Sequence, residues 1–200
     1  MAISLQDVVD DLYRIAVLEG STQSPSRLDL LADLCIEQLS YRKVNNVGKE
    51  IVIPGFGRSK KWDVAWPSTG KTRLGISLKS LLSNIRGTVP NRIDDLMGEL
   101  TSVQLKSPEI VTGYIVIFDA ASNGNSYRRD GTRWIDFFSK SIEQLTGRDS
   151  PSWASGTLEA SAIVTVDFTS DARVLDAPDL NDFFDRITDR LRDRIPELFE

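Results

Sequence analysis

Apolar residues at Leu5, Val8, Val9, Leu12, Ile15, Ala16 and Val17 recur with a helical period, so residues 4–19 read as a helix with Ser4 at its N-cap. Gly20-Ser-Thr-Gln-Ser breaks that pattern. Ser24-Pro25, a capping residue followed by Pro at the first helical position, opens a second helix that runs to about residue 40. Its apolar set is Leu28, Leu31, Leu34, Cys35 and Leu39, while Asp29, Asp33 and Glu37 repeat on another side as an acidic row. Glu50-Ile-Val-Ile-Pro, residues 61–67 and residues 73–80 then read as three strands joined by short turns, an expected antiparallel meander.

Residues 81–90 read as a polar loop, and Asn91 as the cap of a helix reaching about residue 106, with Ile93, Leu96, Met97, Leu100 and Val103 as its buried stripe. Gly113-Tyr-Ile-Val-Ile-Phe-Asp is a continuous apolar run, as in a strand buried on both faces. Residues 133–145 read as a helix, 160–169 as a strand and 180–198 as a closing amphipathic helix. The expected order is α-α-β-β-β-α-β-α-β-α, and the expected fold is α/β, a mixed central sheet flanked by helices. The 200 residues suit one domain, with a core over about 25–170 and the first and last helices as additions.

The chain has no His and a single Cys, Cys35, which excludes imidazole bases, Ser-His and Cys-His triads, zinc clusters and a disulfide framework. Catalysis, if present, runs on carboxylates, Lys, Tyr or hydroxyls. No apolar run is long enough to span a bilayer, and the N-terminus lacks the layout of a signal peptide, so a soluble cytoplasmic protein is expected. The net charge is −5, but it is segregated. Between residues 41 and 92 stand Arg42, Lys43, Lys49, Arg58, Lys60, Lys61, Lys71, Arg73, Lys79, Arg86 and Arg92 against only Glu50 and Asp63. Such a segment makes a local positive field on an acidic body, the field a phosphate backbone experiences.

Within that segment lies the candidate chemistry. Asp63 sits in the apolar strand Lys-Trp-Asp-Val-Ala-Trp, Ser77-Leu-Lys79 lies on the next strand, and the following helix carries Asp94, Asp95 and Glu99. A carboxylate at a strand end suits Mg²⁺, a hard cation that takes oxygen ligands, and Lys79 projects to the same side as Ser77. This arrangement resembles the core of the PD-(D/E)XK nuclease superfamily, over roughly residues 27–120. Where the usual signature has acid-X-Lys, this chain has Ser77-X-Lys79, as in the variant of restriction endonucleases related to those cutting CCGG-containing sites, whose missing acid comes from the following helix. The resemblance implies a restriction-endonuclease-like fold, Asp63 and a helical acid as metal ligands, and Lys79 as the residue that steers water or stabilises phosphorane-like charge. By helical phase Glu99 is favoured, then Asp94, then Asp95, with Glu37 as a candidate for a second metal. A purely structural Asp63–Lys79 ion pair is the alternative.

Lys61, Lys71, Arg86, Asn91 and Arg92 are candidates for phosphate contact, with Asn91 and Arg92 expected at a helix start. Arg128, Arg129 and Arg133 follow Asn123-Gly-Asn-Ser, a loop expected to reach base edges. Gln104 falls in the apolar stripe and requires a hydrogen-bond partner near the sheet. The expected function is a Mg²⁺-dependent DNA endonuclease of restriction type, with Mn²⁺ as a substitute ion and double-stranded DNA as substrate. A homodimer matching a palindrome and a companion methyltransferase belong to the same expectation. The rivals are a repair or defence nuclease, and a nucleic-acid-binding or protein-interaction module that keeps the fold without the chemistry.

Overall fold

A computed structural model describes residues 2–121 and 127–198. Helix α1 (Leu5–Tyr13) starts with the expected Ser4 cap, reinforced by a reciprocal bond between Ser4 and Asp7, and continues as a single π-helical segment over Arg14–Leu18. A 3₁₀ turn, Pro25–Leu28, leads into α2 (Asp29–Tyr41). Strands β1 (Gly48–Ile53), β2 (Lys60–Trp66) and β3 (Leu74–Leu81) form the antiparallel meander. Helix α3 (Ile85–Lys106) crosses over to β4 (Val111–Asp119), and α4 (Trp134–Gln144) to β5 (Ala160–Asp167). A short β6 (Arg173–Asp176) and α5 (Leu180–Arg194) follow. Among the described residues no helix is long and apolar enough to cross a membrane.

The six strands lie in sequence order, β1-β2-β3-β4-β5-β6, with β3–β4 and β4–β5 parallel and the other pairs antiparallel. The protein is therefore α/β with one mixed sheet between two helical layers. All nine residues of β4 are buried, as the apolar run required of a central strand covered on both faces. One core cluster joins α1, α2 and α5 to the sheet through residues such as Leu12, Leu31, Val64, Ile76, Ile115 and Phe184. The other joins α3 and α4 through Leu96, Leu100, Tyr114, Val116 and Phe138. Two glycines permit close approach: a Cβ on Gly75 would lie 2.6 Å from the Trp62 ring, and one on Gly113 2.8 Å from Phe183.

Two expectations are corrected, on the start of α3 and on its buried stripe, and one strand was not anticipated. Residues 85–90 are not loop: α3 begins at Ile85, because Ile85 and Val89 bury one turn apart and the amides of Gly87 and Thr88 bond the Asn84 carbonyl at 3.1 and 2.9 Å. Gly87 and Pro90 lie inside the helix, where their breaker character is outweighed by that burial. Met97 is exposed and Gln104 is buried in α3's stripe. Gln104 donates to Thr112 Oγ1 (3.1 Å) and the Thr157 carbonyl (2.7 Å) and accepts from the Gly156 amide (2.8 Å), so its amide is satisfied near the sheet as expected. Strand β6, four largely exposed edge residues, carried no periodic signal. The loop expected at residues 123–126 lies outside the described residues.

Candidate functional site

The registered ladder between β2 and β3 pairs Val64, Ala65 and Trp66 with Ile76, Gly75 and Leu74. One position beyond it, the Asp63 side chain takes over the role of the backbone. Its Oδ2 accepts the Leu78 amide at 2.7 Å. Lys79 Nζ lies 3.4 Å from the same oxygen and donates to the Leu78 carbonyl at 3.0 Å. Ser77 is buried on β3, two residues before Lys79 and on the same side. Asp63, Ser77 and Lys79 are thus brought together where the two strands part.

Helix α3 supplies the opposite wall. Leu96, Leu100, Val103 and Gln104 face the core, which turns Arg92, Asp95 and Glu99 toward Asp63. The cleft, about 390 Å³, is lined by Asp63, Lys79, Asp95, Glu99 and Glu50 together with Arg27, Arg58, Lys60 and Arg92. Asp94 is exposed and lines an adjoining hollow with Asp95, Glu99 and Lys60. Asp95, ranked last of the three by helical phase, is therefore the acid that shares the Asp63 cleft with Glu99. Asp95 and Glu99 are four residues apart and stand one above the other on the helix. Gly98 does not mediate a close approach, since a Cβ there would meet open space.

The cations of this cleft are incompletely neutralised. Glu99 is ion-paired with Lys60. Burial, and next the charge of Lys79, lower the pKa of Lys60. Burial and the nearby Arg92 charge likewise lower that of Arg27, whose guanidinium donates to Ser80 Oγ at 3.0 Å and the Ser24 carbonyl at 2.8 Å. Arg92 is 3.6 Å from Asp95, and its buried Nε has no hydrogen-bond partner among the described residues. Arg58 and Lys60 belong to the basic segment, whose charge pattern does not by itself distinguish them from their neighbours, and Arg27, on the turn before α2, carries no sequence signal.

The remaining candidates fall elsewhere. Glu37 accepts the Ile3 amide at 2.9 Å and the Tyr41 hydroxyl at 3.1 Å, and is not among the residues lining the cleft. Lys61 pairs with Glu50 at 2.7 Å, and Lys71 pairs with Glu109. Asn91 is exposed within α3 rather than at its start, so neither it nor Arg92 presents a helix N-terminus to a phosphate. Arg133 pairs with Asp136 at 2.7 Å. Arg86, Arg128 and Arg129 come together in a separate groove between α3 and α4.

Among the described residues, no group of three or more His, Cys, Asp or Glu is assembled as a metal cage. The donor set nonetheless fits Mg²⁺ in kind. That ion is usually held by one or two carboxylates, with waters and substrate phosphates completing its shell, and Asp63, Asp95 and Glu99 share one solvent-filled cleft. Glu99, one of the three, is already paired with Lys60. No family model, curated protein or solved structure matches the chain.

Proposed function

We propose that the protein is a Mg²⁺-dependent DNA endonuclease. The observation that carries this reading is Asp63 bonded to Leu78 and Lys79 at the parting of β2 and β3, in a cleft shared with Glu99 and Asp95. Asp63 and Glu99, with Asp95 beside them, would hold the ion; Mn²⁺ is the natural substitute. Mg²⁺, when bound, supplies Lewis-acid activation. Lys79, fixed by Asp63 and the Leu78 carbonyl, presents its ammonium to negative charge developing on the phosphate. Arg27, Arg58 and Arg92, which all line the cleft, bind the neighbouring phosphates. In this reading the substrate is double-stranded DNA, cut by a homodimer whose two-fold axis matches two strands. A restriction role adds a companion methyltransferase and a cytoplasmic site of action.

One observation favours a second reading. With Lys60 on Glu99, the cleft is already charge-paired, as in a nucleic-acid-binding module that retains the fold without cleavage. Plasmid nicking with Mg²⁺ or Mn²⁺ separates the two. Asp63→Asn keeps an acceptor for the Leu78 amide yet removes the charge, so nicking should fall at least about a hundredfold with the unfolding midpoint little changed. Glu99→Gln should lose activity, Asp95→Asn less, and Asp94→Asn least. Ser77→Glu on the Glu99→Gln background restores an acid two residues before Lys79 and should recover part of the cleavage. Undiminished nicking by Asp63→Asn overturns the site. A wild-type protein that binds DNA and never nicks it establishes the module.

A further inference from the structure

Arg86 and Pro90 from α3, Tyr127, Arg128 and Arg129 from the segment before α4, and Trp134 and Phe137 from α4 line a groove of about 680 Å³. The volume is within the roughly 300–1,000 Å³ of small-ligand pockets. Apart from Pro90 its lining is of aromatic rings and guanidinium groups, and among the described residues no carboxylate lines it. The Arg128 guanidinium lies over the Phe137 ring at 3.7 Å from its centroid and 5.5 Å from that of Trp134, and its nearest acid is Asp130 at 3.4 Å. Trp134 and Phe137 meet edge to face at 5.9 Å. The Tyr127 side chain is 56 % exposed, so its ring is open to a partner. Among the described residues, neither Arg86 nor Arg129 belongs to an ion pair.

A stack of guanidinium on aromatic ring presents a planar, positively charged platform. Two unneutralised arginines beside it call for an anion attached to whatever lies on that platform. A planar ring carrying a phosphate satisfies both requirements. Paired bases in a duplex are closed to such a platform, because their faces are already stacked on each other; only an unpaired or extruded base reaches it. Position argues for a nucleotide still in its chain. Helix α3 begins directly after β3 and α4 follows β4, so the groove opens at the same carboxyl edge of the parallel strands as Asp63 and Lys79. Arg86 and Asp95 are about 13 Å apart along the α3 axis at 1.5 Å per residue, roughly four nucleotide steps at 3.4 Å.

We infer that this groove takes up one unpaired nucleobase of a DNA strand with its phosphate, which makes bulged, branched or partly single-stranded DNA the preferred substrate. The inference rests on the endonuclease reading for its substrate, and binding alone tests it.

The full chain carrying Asp63→Asn is titrated with a duplex bearing one unpaired 2-aminopurine, and with the same duplex fully paired. The bulged duplex should bind about tenfold more tightly, with a change in 2-aminopurine fluorescence as the base stacks. Tyr127→Ala should erase that preference and leave binding to the paired duplex within about twofold, and Arg128→Ala should weaken binding of the bulged duplex several times more than that of the paired one. Equal affinity for the two duplexes overturns the inference, as does an equal loss on both in the groove variants, which marks the arginines as ordinary phosphate contacts. Full competition by free deoxyadenosine monophosphate at the concentration of the bulged site also overturns it, in favour of a mononucleotide pocket. Failure of the endonuclease reading is seen separately, as cleavage that survives Asp63→Asn or never occurs; the preference for the unpaired base is measured independently of either.

Discussion

Two clusters of buried or half-buried charge stand at different places in this molecule, and they are built from the same residue types. In the first, Arg148, Glu159 and Arg194 are almost wholly buried. Arg148 donates to the carbonyls of Pro108, Ile110 and Ala154 and to Glu159, at 2.8 to 3.1 Å. Glu159 accepts from Arg148, Arg194 and both the amide and hydroxyl of Thr112. In the second, around Asp63, the carboxylates and cations face a solvent-filled cleft, Lys79 stands 3.4 Å from its partner and Arg92 has an idle Nε. Density of charge therefore does not distinguish a framework from a site. Nor does an idle donor, since Arg194 Nε in the first cluster is also buried without a hydrogen-bond partner among the described residues. Access does: the first cluster joins the 145–159 segment to β4 and α5 and is closed to solvent, while the second opens onto a cleft that a ligand can enter.

The largest test of this contrast is Glu159→Ala. Two guanidinium groups would lose their buried counter-charge, and removal of one partner from such a network costs about 3–5 kcal/mol. The shift should appear in the denaturant midpoint. A change below about 1 kcal/mol would show the cluster to be less closed than its hydrogen bonds indicate. A smaller effect concerns nucleic acid. Removing the Arg27 and Arg92 charges together should reduce the slope of log affinity against log salt by about 0.9 for each phosphate of duplex DNA that is no longer neutralised, with the unfolding midpoint little altered. An unchanged slope would place the phosphates elsewhere.

The smallest effect is a pH dependence. Lys60 has a pKa lowered by burial and by Lys79. Just below the ordinary lysine value the unfolded chain binds the Lys60 proton more readily than the folded one, so this group makes stability rise with pH between its folded and unfolded values, with its destabilising effect complete and constant below the folded one. Lys79→Met should move the Lys60 titration, followed by NMR of the ¹³C-methylated lysines, upward. A downward move would mean that the ammonium groups do not sense one another.

Much of the fold was legible because burial leaves a period: the amphipathic α1 and α5, the three-strand meander and the continuously apolar β4 all follow from spacing. The start of α3 was not, because Gly87 and Pro90 are breakers by propensity and only the tertiary burial of Ile85 and Val89 overrides them. The candidate site was legible to the level of Asp63 and Lys79, which strand alternation puts on one opening, while Ser77 on the same side of β3 lies buried behind it. The helical acids were ordered less well. Gln104 occupies a core position that an apolar count leaves out, through bonds to Thr112, Thr157 and Gly156 that are distant in sequence. Including Met97 instead of Gln104 rotates the apparent stripe, and Asp94 then takes precedence over Asp95. Arg27 could not be assigned to the cleft from spacing at all, since the 3₁₀ turn that carries it meets β3 only in three dimensions.

The strict sequence order of the six strands also fixes a timetable. As the chain leaves the ribosome, each new strand emerges beside the one it will pair with, and the sheet grows along a single edge. The cleft's charged residues, from Arg27 to Glu99, are all present once Glu99 has been made. The sheet that carries them is not: β3 pairs with β4 along residues 74–81 and 111–118, and α5, synthesised long after them, packs on β4 and β5. A nascent chain thus carries every group of the cleft through the synthesis of β4, α4, β5 and β6, before the sheet that bears β2 and β3 is complete.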